Sequence, residues 1–319
     1  MNLRQLKTLC EIADRGLRVT DAAHATYRSQ SSVTRQMQLL EKELGVELFA
    51  RKRNKLLGLT PHGKEILGIA RGIIRDAENM HNIGRNAAHD ERGTFTIATT
   101  NFQAKYVLPR AIRQFIERYP DVHLSLRQGT PAECCELVAL GQTDLAICAE
   151  VDMPEGLAAL PCYRLYRSIL TPPRHPLAKV KPITLEALAR YPLITYDEAF
   201  SGAWIVNRTF SEKGLTPRIV LSVVDADVAK IYVGMGIGIA IAASVAFDPK
   251  QDTALRRLDA RHLFRPSEIA IILRRHSHLR KFTFDFMQMF APRLERPVVE
   301  DALFGKHPVS LARAAVPEL

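Results

Sequence analysis

The chain has no long apolar run. No segment approaches the roughly 18 uncharged apolar residues that a membrane span needs, and Met1 to Cys10 carries Arg4 and Lys7 with no apolar stretch behind them. A membrane segment and an export leader are therefore not expected, and the protein is expected in the cytoplasm. Cysteine is scarce: Cys10, Cys134, Cys135, Cys148 and Cys162 are odd in number and form no Cys-x-x-Cys pair. A disulfide framework and a zinc site of that spacing are thereby excluded, leaving reduced and mostly buried thiols. Adjacent Cys134 and Cys135 have no cationic run beside them to activate a thiolate, so they read as packed helix residues. His276-Ser277-His278 sits in a basic stretch with no acidic or cysteine partner nearby in sequence, so no metal is expected there. No Ser-His-Asp order, carboxylate pair or phosphate loop stands out, so no catalytic residue and no cofactor is assigned. Gly234-x-Gly236-x-Gly238 closes a helix and enters a strand, the reverse of a dinucleotide-binding turn.

What is present is a globular composition, 47% hydrophobic and 24% charged over 319 residues. That length suits two or three compact units. The net charge of +10 is unevenly placed: residues 1–75 hold 14 Lys and Arg against 7 Asp and Glu, leaving 30 against 27 for the remainder. A general solubility device would be spread evenly. The asymmetry points instead to a polyanionic partner for the first quarter of the chain.

Leu3, Leu6, Cys10 and Ala13 recur at helical spacing, and Gly16 ends that first helix. Thr20 to Tyr27 reads as a short helix with small residues, Ala22 and Ala23, that allow close packing. The polar turn Arg28 to Ser32 then leads into a helix ending at Leu44. Val33, Met37, Leu40 and Leu44 make one apolar stripe, while Ser31, Thr34, Arg35, Gln38 and Lys42 fall on the other side. One face is core and the other offers hydrogen-bond donors, the division that the second helix of a helix-turn-helix needs in the major groove. An ordinary solvated helix would show the same residue types. The continuation decides between them: Gly45 stops the helix, and two short apolar segments flank the basic tip Arg51 to Lys55, a β-hairpin wing whose cations reach phosphates. Thr60 caps, and Pro61 opens, a further helix in which Ile66, Ala70, Ile73, Ala77 and Met80 repeat with heptad-like spacing. Such a seam suits pairing with a second helix, so a homodimer or homotetramer is expected; the alternative is a helix packed on its own chain.

The run Leu3 to Gly63 resembles the LysR-type transcriptional regulators. The likeness lies in Ala22-Ala23, Ser29-Gln30, Leu40-Glu41-x-Glu43-Leu44-Gly45-Val46-x-Leu48-Phe49-x-Arg51 and Leu59-Thr60-Pro61-x-Gly63. Within that family the chain is similar to the CysB/Cbl subgroup of sulfur-assimilation regulators, through Ile97-Ala98-Thr99-Thr100-x-x-Gln103-Ala104-x-Tyr106, Phe115 to Pro120, Leu160 to Tyr163, Leu215 to Val220 and Asp225 to Val228, as far as about Arg296. The resemblance implies promoter double-stranded DNA as partner, with Gln30, Ser31, Thr34, Arg35 and Gln38 at the DNA and Arg51 and Arg53 on the wing. Ser31 stands where most relatives carry proline.

After Glu91-Arg92-Gly93 the chain alternates strand and helix, with strands expected at 94–99, 122–127, 144–149, 193–196, 218–223 and 237–242 and a mostly parallel sheet. The expected fold class is α/β: a winged helix-turn-helix (1–60), a linker and dimerisation helix (61–90), an effector-binding domain of two Rossmann-like subdomains (91–300) and a C-terminal tail (301–319). From Pro297 onward the residues are read as partly disordered. The resemblance implies an effector in the cleft between the subdomains. Polar groups at strand ends and helix starts fit an anion: Thr99, Thr100, Asn101 and Gln103, Thr130, and Ser201 with Gly202; N-capping is the simpler role for any one hydroxyl. Phe102, Ala149 and Ser201 replace threonines of the sulfate-sensing members. With hydroxyls lost and a ring gained, the expected effector is a sulfur-related or organic anion larger than sulfate. The alternatives are a regulator of this family serving another pathway, and a small-molecule-binding protein or enzyme built on the α/β part.

Overall fold

The computed structural model describes residues 1–25, 27–52, 55–85, 91–149, 152–197, 201–305 and 316–318. It comprises two units, one built on residues 1–90 and a larger one built on 91–138 and 143–319.

In the first unit, α1 (Leu3–Asp14) starts with a capping box: the Asn2 side chain accepts from the Gln5 N–H, and the Gln5 side chain accepts from the Asn2 N–H. Gly16 follows with φ 62°, a left-handed turn that glycine adopts without strain. Helices α2 (Val19–Ala25) and α3 (Gln30–Leu44) close against α1 through Ala22, Ala23, Val33, Met37 and Leu40, all buried. The hairpin β1 (Phe49–Lys52) and β2 (Lys55–Leu59) is antiparallel, and α4 (Pro61–Arg85) completes the unit. The seam of α4 divides. Leu67 and Ala70 are buried, with Ile66, Ile73 and Ile74 beside them, in the core that α1 and α3 share. Met80 and Ile69 are instead largely exposed. The first half of the heptad-like pattern thus serves its own unit.

The second unit holds two five-stranded sheets. One has the order β4-β3-β5-β12-β6, from β3 (Gly93–Thr99), β4 (Val122–Gln128), β5 (Leu145–Ala149), β6 (Leu157–Leu165) and β12 (Ser267–Arg274). The other has the order β11-β7-β10-β8-β9, from β7 (Arg167–Thr171), β8 (Leu193–Tyr196), β9 (Ile219–Val223), β10 (Ile239–Ala243) and β11 (Arg256–Asp259). In each, three neighbouring strands pair in parallel and the two remaining pairings are antiparallel, so that one strand, β12 or β7, runs against the other four. The six strands expected from the sequence are the six parallel ones; the mostly parallel sheet is corrected to a mixed one by β6, β7, β11 and β12. These four are where the chain crosses between sheets, from β6 through Tyr166 into β7 and back from β11 to β12. They carry no βαβ rhythm, and β11 (Arg-Arg-Leu-Asp) reads as a loop by composition.

The helices are α5 (Asn101–Tyr106), α6 (Pro109–Arg118), α7 (Pro131–Ala139), α8 (Leu185–Ala189), α9 (Ser201–Glu212), α10 (Ala226–Gly234), α11 (Lys281–Phe290) and α12 (Arg296–Phe304). Phe95, Phe115, Phe282 and Phe286 pack ring on ring between the first sheet and α6 and α11, with centroids 5.2–6.2 Å apart. The expectation of a loose tail from Pro297 is corrected. Helix α12 buries Val299, Ala302 and Leu303 in this core, and the Arg164 N–H donates to the Pro317 carbonyl at 2.9 Å, fixing residues 316–318 beside β6. The apolar spacing at 299, 302 and 303 supplies the reason. Residues 306–315 lie outside the described residues. The three glycines at 234–238 do close α10 and enter β10: Gly236 has φ 77°, and a Cβ on Gly238 would stand 2.6 Å from the Pro192 carbonyl oxygen.

Candidate functional site

The first site is the outer face of α3. Ser29, in extended backbone, accepts from the Ser32 N–H at 3.2 Å and caps the helix, while Gly45, at φ 70°, ends it. Between them the apolar stripe anchors one face. Gln30, Ser31, Arg35 and Gln38 are exposed on the other and Thr34 is half-buried there. Among the described residues Arg35 makes no ion pair, so its planar fork is unengaged. The helix start adds unpaired N–H groups and the positive end of its dipole.

Arg51 stands differently from the expectation for a wing cation. Its Nη2 donates to Glu41 Oε2 at 2.6 Å, and Glu41 Oε1 accepts from the Leu48 and Phe49 N–H groups at 2.9 and 3.3 Å. One carboxylate thus ties α3 to the base of the wing, and Arg51 holds that carboxylate. Lys52 is exposed at the tip; Arg53 lies outside the described residues. The base is locked again at Thr60, whose hydroxyl donates to the Glu47 carbonyl at 2.6 Å and accepts from the Gly63 N–H at 2.9 Å. A Cβ on Gly63 would lie 2.0 Å from the Leu48 carbonyl oxygen, so only glycine lets α4 approach so closely.

The second site is a cleft between the two sheets of the larger unit, with about 630 Å³ of empty space counting the open solvent at its mouth. Thr100, Phe102, Gln103, Pro131, Ala149 and Ile269 wall it from the first sheet. Tyr196, Gly202, Val224 and Ala243 face them from the second, and Leu165, Arg167 and Ser267 lie where the chain crosses. Of the residues expected there, Thr100, Phe102, Gln103, Ala149 and Gly202 line it. Thr99 does not: its hydroxyl donates to the Ile147 carbonyl at 2.8 Å and fastens β3 to β5. Asn101 points to the cleft rim, where its Nδ2 donates to Asp225 Oδ2 at 2.6 Å. Thr130 is used by its own turn, its N–H and hydroxyl both donating to Glu133 Oε2. Ser201 begins α9, and its side chain lies outside the described residues.

Three polar residues went unrecognised in the sequence. Arg167 is buried, with Nη1 donating to the Arg265 carbonyl at 2.7 Å and Nη2 to Ser267 Oγ at 2.9 Å. Burial lowers its pKa to about 10, so it remains a cation at neutral pH. Tyr196 has its phenol pushed up by burial and stays neutral. Its hydroxyl and Gln103 Oε1 are buried without a hydrogen-bond partner among the described residues. Ser267 completes the set. The available signal was slight: an arginine at the head of Arg-Ser-Ile-Leu-Thr, a strand whose five residues are all buried.

At the rim, α5 is joined to the start of α10. Besides the Asn101 bond, the Tyr106 hydroxyl donates to Asp227 Oδ1 at 2.5 Å, and Lys105 pairs with the same carboxylate. Lys230 bridges Asp227 and Asp252 at 3.2 and 2.9 Å. These bonds connect the two sheets across the cavity mouth. The five cysteines are all free and buried; burial pushes the Cys134 and Cys162 thiols up to about 12 and Cys10 to about 11. No group of metal-ligating side chains occurs among the described residues, nor any helix long and apolar enough to cross a membrane.

Comparison with known proteins covers both units. Residues 3–64 match the family model of the bacterial regulatory helix-turn-helix protein, lysR family, and residues 88–295 match that of the LysR substrate binding domain. The chain is 41% identical over 307 residues to the HTH-type transcriptional regulator CysB of Burkholderia cenocepacia, covering 96% of this chain and 98% of that one. It is 39% identical over 304 residues to the HTH-type transcriptional regulator SsuR of the same organism, covering 95% and 99%. Among solved structures, the cofactor-binding domain of the Cbl transcriptional regulator superposes with a TM-score of 0.64 at 37% identity, covering 67% of this chain and 94% of that one. With its helix-turn-helix and its two-sheet sensing unit each matched in full sequence order, the chain belongs to the LysR family of transcriptional regulators.

Proposed function

We propose that the protein is a cytoplasmic, ligand-responsive regulator of sulfur-assimilation genes. It reads promoter DNA with Gln30, Ser31, Thr34, Arg35 and Gln38 and senses a small organic anion in the cavity between its sheets. The observation that carries the reading is the two-faced α3: a buried apolar stripe braces it, and the opposite side presents exposed donors around an unpaired arginine. The sulfur link rests on the similarity to CysB, SsuR and Cbl. Thr100 and Gln103 supply the cavity's polar floor beside Phe102, whose ring sits 5.0 Å from that of Tyr106. Assembly as a homodimer or homotetramer uses apolar surface left uncovered: Ile69 and Met80 on α4, and Val228, Ile231 and Met235 on α10. Effector binding shifts the population between assemblies that place the α3 helices differently.

Gel shift with promoter fragments of sulfur-assimilation operons tests this. The full-length protein retards them in preference to random duplex at moderate salt, and Arg35→Glu lowers specific binding by about 100-fold, the loss of a bidentate base contact together with charge reversal. Equal retardation of random duplex would overturn the proposal.

A further inference from the structure

We propose that Arg167 is the charge anchor of the cavity, receiving the anionic head of an organic acid whose apolar body rests on Phe102, Leu165 and Ile269. The inference builds on the reading of this cavity as the effector site and names the group that selects the effector's charge. Arg167 is 6% exposed. Its two protein bonds end on neutral acceptors, a carbonyl and a hydroxyl, and among the described residues no carboxylate stands in ion-pair range. A buried guanidinium without a counter-charge is costly, and proteins seldom keep one that nothing neutralises. Two of its five N–H donors are used, so the remainder can hold a carboxylate or sulfonate through more than one bond.

The rest of the lining specifies the ligand's other parts. Gln103 Oε1, buried and unpartnered, accepts from an N–H or O–H on the ligand; the unpartnered Tyr196 hydroxyl bonds to a second polar atom. The remaining wall is apolar, which an inorganic anion leaves dry and uncovered. The class that satisfies every group is a small amphiphilic carboxylate or sulfonate that also carries an N–H or O–H. Arg167 also lies on the outgoing crossing between the sheets, and its two partners lie on the returning one. An anion seated on it therefore bears on both connections at once.

Benzenesulfonate and benzenesulfonamide, alike in shape and different in charge, test the anchor by isothermal titration calorimetry on the full-length protein. The sulfonate binds about 30-fold more tightly than the neutral amide, the value of one charge-assisted hydrogen-bonded contact. In Arg167→Gln that preference falls below about threefold, and Arg167→Lys keeps part of it. Ala149→Phe, which fills the cavity, removes binding of both compounds. Equal affinity of the wild-type protein for the two, a preference that survives in Arg167→Gln, or no binding of either compound overturns the anchor. The first comparison needs no variant and stands even if Arg167→Gln fails to fold. Absence of a charge preference in the wild-type protein, with Ala149→Phe still blocking both compounds, removes Arg167 alone; binding undisturbed by Ala149→Phe removes the cavity reading itself.

Discussion

The two units of this chain treat polar groups in opposite ways. On α3 the donors stand in water, backed by a buried stripe, because a duplex supplies its own partners and must be approached from outside. In the larger unit Arg167, Gln103 and Tyr196 are withdrawn from water with donors and acceptors unfilled, because a small ligand is held by few contacts and each must be strong. An outward reader tolerates mobile side chains. An inward sensor needs them aimed beforehand.

Substitutions can separate the two designs. The largest effect is expected from Gly63→Ala, whose methyl carbon meets the Leu48 carbonyl oxygen. The N-terminal unit loses about 3 kcal/mol or more, so thermal denaturation shows an earlier transition for that unit and promoter binding fails, while calorimetry finds the cavity's affinity unchanged. Should ligand affinity fall in step, the units are not separable. Asp227→Asn comes next. It removes the ion pairs to Lys105 and Lys230 at the cleft rim while leaving an acceptor for Tyr106. Because the carboxylate is about one-third exposed, the expected loss is only about 1 kcal/mol, read as a lower melting temperature of the larger unit with DNA affinity unaltered. The smallest effect is chemical: at pH 8 none of the five buried cysteines is alkylated in the native protein within the time that urea-unfolded chain reacts fully, as counted by mass spectrometry. Rapid labelling of Cys134 or Cys135 would show the sensing unit to be far more open than its packing.

Much of the first unit was legible because its signals are local. The cap at Thr60, the stop at Gly45 and the 4-3-4 stripe of α3 each depend on residues a few positions apart, and the structure reproduces them. The bond from Arg51 to Glu41 was not legible, because the two lie ten residues apart on different elements. In the larger unit the six parallel strands carry the alternation with helices that makes them visible, whereas the four crossing strands pair with segments far along the chain: β12 pairs with β6 more than a hundred residues before it. Thr99, Asn101 and Thr130 had the right chemistry and neighbourhood, and each makes a side-chain bond to a protein partner, which for Thr99 and Asn101 no spacing along the chain announced.

Periodicity, charge asymmetry and capping chemistry, written in neighbouring residues, were enough to mark a basic helix-turn-helix followed by an α/β unit, whose ligand-sensing role came from the family resemblance. Only the tertiary structure decided which polar groups stay unspent. Whether Arg167 meets a carboxylate or an empty cavity depends on strands brought together from residues 100, 167, 196 and 267, and no spacing along the chain encodes that meeting.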